Sequence, residues 1–216
     1  MPSNTRHQCI IYTGNPSHKL PAISIIIQER MQAGYQCLYI NSPSMVKEMK
    51  FSLESLGIDI EKEMTSNRLV FSSEGCCEEE DFDIDSMLNG LESALDQALK
   101  NGFKGLWASG DMTWELGAEK NYEKLVEYEW KLEQLFQRRK ELHGICQYHC
   151  DTLPQEVIRQ GLLMHHTLFI NDTLSKINPL YNPELSTAFS VANPILDKMI
   201  SDICGANIEE NRRSVN

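Results

Sequence analysis

A chain of 216 residues, 41% hydrophobic and 24% charged, is long enough to bury a full core without staples, as one large domain or one domain with an appendage. Its formal net charge of -11 argues against nucleic acid as a direct partner, because phosphate binding needs clustered Lys and Arg. The longest apolar run, Ile23 to Ile27, is broken by Ser24 and falls far below the ~18 residues of a membrane span. The opening MPSNTRHQ lacks an apolar h-region, so a cytoplasmic protein without membrane contact is expected.

The first strand is predicted over His7 to Tyr12, followed by the loop TGNPSHKLP. A helix from about Ala22 to Ala33 stops at Gly34. Gln36 to Ile40 is a second strand, and a second helix covers about Ser44 to Leu56, with Gly57 just beyond it. Arg68 to Ser72 is a third strand. The stretch EGCCEEEDFD after it lacks the alternating ligands and glycine of a calcium loop and reads as a solvated acidic loop. A third helix, Ile84 to Lys100, carries one apolar stripe through Leu88, Leu91, Leu95 and Ala98.

The stretch FKGLWASGDMTWEL, Phe103 to Leu116, organises the rest. Gly105 to Ala108 reads as a buried strand stopping at Ser109-Gly110, which delivers Asp111 and Trp114 to the carboxyl edge of a sheet, where open α/β folds place ligands. Glu115 to about Lys140 is helical, and Gly144 to Tyr148 is a fifth strand. A helix over Asp151 to Leu163 is expected to be capped by Asp151 or Thr152. Beyond His166 the pattern weakens, and only Ile195 to Ile203 looks helical. Residues 1–166 therefore read as the domain and 167–216 as a C-terminal extension with a short helix. Strands separated by helices predict an α/β fold: a mostly parallel sheet with helices on both faces.

The residues limit the chemistry. A phosphate loop would follow the first strand as GxxxxGK[ST]. Here Gly14 opens TGNPSHKLPA without the second glycine or the Lys-Ser/Thr pair, and Pro21 removes an amide donor after Lys19. Seven cysteines, an odd number, do not suggest a disulfide framework. Cys9, Cys37 and Cys146 sit in apolar runs and read as small buried hydrophobes. Cys76-Cys77 stands among carboxylates that disfavour thiolate. His7 and Cys9 share one strand face; with Cys146, His149, Cys150 and His165 they could be imagined around a metal. No pair has C-x-x-C or H-x-x-x-H spacing, so no metal is expected, and His7 reads as a buried ring bonded to backbone. No Ser or Cys has an evident paired base.

Several motifs together resemble one family. They are H-x-C-x-x-Y at His7, Cys9 and Tyr12, AGYQCLYI at Ala33 to Ile40, and GID at Gly57 to Asp59. Others are the G-[ED]-M-[ST]-W core at Gly110 to Trp114, YEWKLEQLF at Tyr128 to Phe136, and CQY at Cys146 to Tyr148. His165 or His166 falls where the family has His-Pro, without the proline, and Asp111 stands where Glu is commoner. Over about Arg6 to Thr167 the chain resembles the MEDS sensory domain of methanogen and methylotroph regulators.

The resemblance implies a three-layer RecA/KaiC-type core without its phosphate loop. It puts the first strand beside the fifth and the fifth beside the fourth. Tyr12, Thr13, Asp111, Trp114, Gln147 and Tyr148 would then meet in a ligand pocket, and His7 and Cys9 on the first strand are also expected to bind the ligand. Core packing is the plainer account of Tyr12, Trp114 and Tyr148, and helix capping of Asp111. The function implied is non-catalytic sensing of a small organic molecule, with methylated or halogenated hydrocarbons as one candidate class, without a cofactor. Members are often joined to DNA-binding or kinase modules in transcription regulation; here the signal would pass to another protein, docked on the long helix or on Ile195 to Ile203, with a homodimer allowed. The alternatives are a nucleotide module without hydrolysis, or an enzyme with Asp111 as general base.

Overall fold

The computed structural model describes residues 6–73, 83–112, 122–170, 174–177, 181–182, 194, 197–198 and 200–202. Its strands are β1 (His7–Tyr12), β2 (Gln36–Ile40), β3 (Leu69–Ser72), β4 (Leu106–Asp111), β5 (Leu142–His149), β6 (Thr167–Ile170) and β7 (Leu174–Ile177). The helices are α1 (Leu20–Gln32), α2 (Pro43–Ser55), α3 (Ile60–Thr65), α4 (Ile84–Lys100), α5 (Tyr122–Arg138) and α6 (Gln155–Met164). They build one sheet in the order β3-β2-β4-β5-β1-β6-β7. Every pairing is parallel except β6 with β7.

Local chemistry sets the element ends. Ser42, Asp59 and Asp83 each accept a backbone N–H from the first turn of the helix that follows, starting α2, α3 and α4. Gly34 and Gly57 take positive φ values of +93° and +80°, the left-handed geometry that closes α1 and α2. The central strands β1 and β4 are buried at every position, as strands covered on both faces must be.

The sheet divides the core in two. On one side α1, α2 and α3 pack Ile23, Ile27, Met49 and Leu53 against Ile10, Cys37, Tyr39 and Trp107. On the other, α4, α5 and α6 pack Leu95, Leu125, Leu132 and Leu162 against Cys9, Ile11, Leu106 and Cys146. This is the three-layer arrangement expected from the sequence.

Three features differ from expectation. The sheet has seven strands rather than five, and α3 is an added helix. Strands β6 and β7 come from beyond residue 166; Leu168 is buried, and Ile200 packs into the α4–α6 side of the core. Helix α6 starts at Gln155 with Pro154 at the cap position and no side-chain cap. Asp151 is used elsewhere, as shown below. The acidic stretch Glu74 to Phe82 and the segment from Thr113 to Asn121, including Trp114, lie outside the described residues.

Candidate functional site

The strand order sets β4, β5 and β1 side by side, so their carboxyl ends converge as the resemblance implied. Side chains alternate along each strand, and the sheet sorts the predicted residues onto two faces. Facing α1 and α2, the Tyr12 hydroxyl donates to Asp111 Oδ2 at 3.2 Å, and the Tyr12 ring stacks on His149 at 4.8 Å between centroids. Gln147, opposite Asp111 in register, donates from Nε2 to Ser109 Oγ at 2.9 Å. Burial, then the charge and hydrogen bond of Asp111, raise the Tyr12 pKa and keep the phenol protonated. Thr13 is buried at the end of β1. These side chains form a packed polar knot.

The loop after β1 lies over this knot and is tied to the end of β5. The Gly14 N–H donates to Asp151 Oδ2 at 2.7 Å, and His149 Nε2 lies 2.8 Å from the Gly14 carbonyl. Asn15 then caps a 3-10 turn over Pro16–Lys19. Asp151, expected at the start of α6, instead spans from β5 to the β1 loop. An amide that a phosphate loop would aim at an anion here bonds a carboxylate of the chain itself.

His7, Cys9, Cys146 and Tyr148 face the other way, toward α5 and α6. His7 is buried as expected, but its partner is a carboxylate and not backbone: Nδ1 lies 2.7 Å from Glu133 Oε2. Its ring stacks on Phe136 at 4.3 Å and meets His165 at 4.0 Å. His165 Nδ1 lies 2.6 Å from the Gly161 carbonyl. Glu129, one turn before Glu133 on α5, is 2% exposed.

Burial raises the Glu129 pKa, against an opposing pull from His7. For Glu133 burial pushes the same way but is outweighed by bonds from His7, Tyr181 and Gln137, so its pKa falls. Burial, then the charge of His7, lower the pKa of His165. Cys9 is a fully buried thiol whose pKa burial and then Glu129 raise. The sequence pattern brought His7, Cys146 and His165 into view but not Glu129 and Glu133. Their signal was present: two carboxylates four apart on the apolar stripe Leu125, Val126, Leu132 and Phe136.

The same side of the sheet holds a cavity of about 250 Å³ between β2, β4 and β5 and the helices α4 and α5. Leu38, Met87, Leu91, Leu132 and Phe136 line it, and Cys146 contributes to its wall. Gly144 leaves its floor open; a Cβ there would stand 2.7 Å from the Ala108 carbonyl oxygen and 3.1 Å from Phe136. Among the described residues no helix is long and apolar enough to cross a membrane.

Two solved structures illustrate the likeness in fold. The KaiC-like protein PH0186 from Pyrococcus horikoshii OT3 matches at TM-score 0.53 and 14% identity, covering 76% of this chain and 70% of its own. The flagellar accessory protein FlaH from Methanocaldococcus jannaschii matches at TM-score 0.54 and 16% identity, covering 88% and 83%. At such identities the likeness establishes the RecA/KaiC-like fold. No curated protein matches the sequence. The model of the MEDS family, the methanogen/methylotroph, DcmR sensory domain, matches residues 6–166. The chain belongs to the MEDS family of sensory domains.

Proposed function

We propose that this protein is a non-catalytic sensor that takes a small apolar organic molecule, of methylated or halogenated hydrocarbon type, into the cavity between the sheet and helices α4 and α5. The cavity carries the reading. Its volume of about 250 Å³ lies just below the range of sites for drug-sized ligands and suits a compact one. Its lining is mostly apolar, aromatic or glycine, with Ser72, Ser86 and Cys146 also on the wall. We place the ligand here rather than among Tyr12, Asp111 and Gln147, because Tyr12 bonds Asp111 and Gln147 bonds Ser109. A sensory-domain family supports the role. The Asp151 carboxylate on the Gly14 amide weighs against a nucleotide phosphate at the β1 loop. Output would pass to a signalling partner, for which α5 offers the part-exposed Trp130.

Thermal-shift measurements with small halogenated and methylated hydrocarbons test the reading. A ligand present at 100 times its Kd stabilises the native state by about 2.7 kcal/mol, and Ala108→Leu, which fills the cavity, should abolish the shift while the variant stays folded. A shift with ATP and none with the organic compounds would favour the nucleotide alternative. Turnover of a compound, lost in Asp111→Asn, would overturn the non-catalytic assignment.

A further inference from the structure

We propose that His7, Glu129, Cys146 and His165 form a binding site for a divalent transition-metal ion of the zinc class, closed by four protein ligands and structural in role. One ligand atom from each lies within 4.8 Å of every other, and all four residues are buried. They come from β1, α5, β5 and the junction between α6 and β6.

The distances within the cluster match those of a metal site. Glu129 Oε2 stands 3.8 Å from His7 Nε2 and 3.6 Å from His165 Nε2. Both are too long for N–H···O bonds. Cys146 Sγ is 3.5 Å from His7 Nε2. Ligands about 2.0–2.3 Å from a tetrahedral ion stand roughly 3.3–3.8 Å apart. These three separations are edges of such a tetrahedron.

The outer contacts fit as well. A metal-bound imidazole usually gives its other N–H to a carboxylate or a backbone carbonyl, which fixes the tautomer. His7 Nδ1 is paired with Glu133, and His165 Nδ1 with the Gly161 carbonyl. Each bond turns an Nε2 lone pair toward Glu129. Neither oxygen of Glu129 makes a hydrogen bond of ordinary geometry among the described residues; the Tyr148 hydroxyl and the Cys146 thiol interact with it at longer range, which leaves a carboxylate 2% exposed short of the partners its burial calls for. A divalent cation offsets the charge of the thiolate and the carboxylate that would bind it, while Glu133 keeps its own against His7.

The donor set names the class of ion. Two imidazoles, a thiolate and a carboxylate suit zinc or its neighbours, whereas calcium and magnesium favour oxygen. Four protein donors with no exposed face leave no position for substrate, as in structural centres. Such a centre does not depend on the sensing role, although Cys146 also borders the cavity.

Cobalt(II) provides the test on the chelator-treated full chain. One equivalent should give tetrahedral visible bands and a near-ultraviolet thiolate-to-cobalt band, displaced by Zn²⁺. Cys146→Ser should lose the thiolate band, and Glu129→Gln should weaken affinity at least about tenfold, the scale on which lost metal-site partners are felt. Zn²⁺ should raise the Tm of the wild type and not of Cys146→Ser. A folded protein that takes up no cobalt overturns the proposal. So does a thiolate band that survives Cys146→Ser and disappears when Cys76 and Cys77 are replaced by Ser. Should Cys146→Ser not fold, X-ray absorption on the zinc-loaded wild type decides: one sulfur and two imidazoles support the site, and an all-oxygen shell overturns it.

Discussion

Replacing Gly144 by Ala should be one of the most damaging single-methyl additions in the protein. Gly144 sits in β5 between β4 and β1, paired with Ala108 on one side and His7 on the other. The added carbon would stand 2.7 Å from the Ala108 carbonyl oxygen and 3.1 Å from Phe136. Ordinary contact begins near 3.4 Å, so the first atom must recede by about 0.7 Å. That atom is backbone in a central strand, held by neighbours about 4.8 Å away on either side, and cannot rotate clear. Overpacking costs about 1–3 kcal/mol, and the upper half of that range applies when backbone must move. For a chain of this size each kcal/mol lowers Tm by about 2–4 °C.

Gly90→Ala is the internal control. Gly90 lies within α4, and a Cβ added to it would meet nothing within 4 Å. Ala there should stabilise by up to about 1 kcal/mol through helix propensity. Urea denaturation of both variants beside the wild type reads the two signs. A Gly144→Ala protein within about 0.5 kcal/mol of wild type, the scatter of ordinary surface changes, would refute the close-approach reasoning.

Two further predictions rest on buried polar groups. Tyr12→Phe should cost about 1.5–3 kcal/mol, because it takes a donor from the Asp111 carboxylate. Tyr148→Phe should cost less than Tyr12→Phe, since the buried Tyr148 hydroxyl makes no hydrogen bond of ordinary geometry among the described residues and interacts with Glu129 at longer range; a larger loss for Tyr148→Phe in urea melts would reverse that ranking. Burial, then the charges of Arg30 and Arg6, bring the His143 pKa down from 6.5 to about 4. The unfolded chain therefore takes up this proton first, so stability is full above pH 6.5 and falls as pH drops toward 4. His143→Gln should flatten that slope, and an unchanged urea midpoint profile between pH 7 and 4.5 would contradict the assignment.

The alternation of strand and helix was legible because each unit carries its own punctuation. Gly34 and Gly57 close helices, Asp83 caps α4, and β1, β2 and β4 are short runs of apolar and small residues. What escaped was short or used its polar residues at a distance. Strands β6 and β7 have four residues each, too few for period-two alternation to stand out. Helix α3 is six residues long behind Asp59. Asp151 has the right type and position for a cap, yet it bonds Gly14, 137 residues away in sequence, and no local pattern encodes that choice.

The site was legible by residue type more than by partnership. Tyr12 and Asp111 do meet. The separation of Gln147 from Tyr148 follows from alternation within one strand, and could have been drawn from their adjacency. Glu129 and Glu133 looked like the charged side of a solvated helix, because 7 of the 17 residues of α5 are charged, although their place on the apolar stripe was a signal that they turn inward. His7 revealed them only once β1 had packed beneath α5.

Strand β5 has a mechanical consequence. Cys146 and Tyr148 hang from one side of this ribbon, Gln147 and His149 from the other, at successive residues. A twist or slide that repositions the thiol must therefore drag an amide bonded to Ser109 and an imidazole bonded to the Gly14 loop. The two chambers of the molecule share a single axle, so a disturbance in the greasy one that moved β5 would reach the rim of the other without any relay of side chains between them.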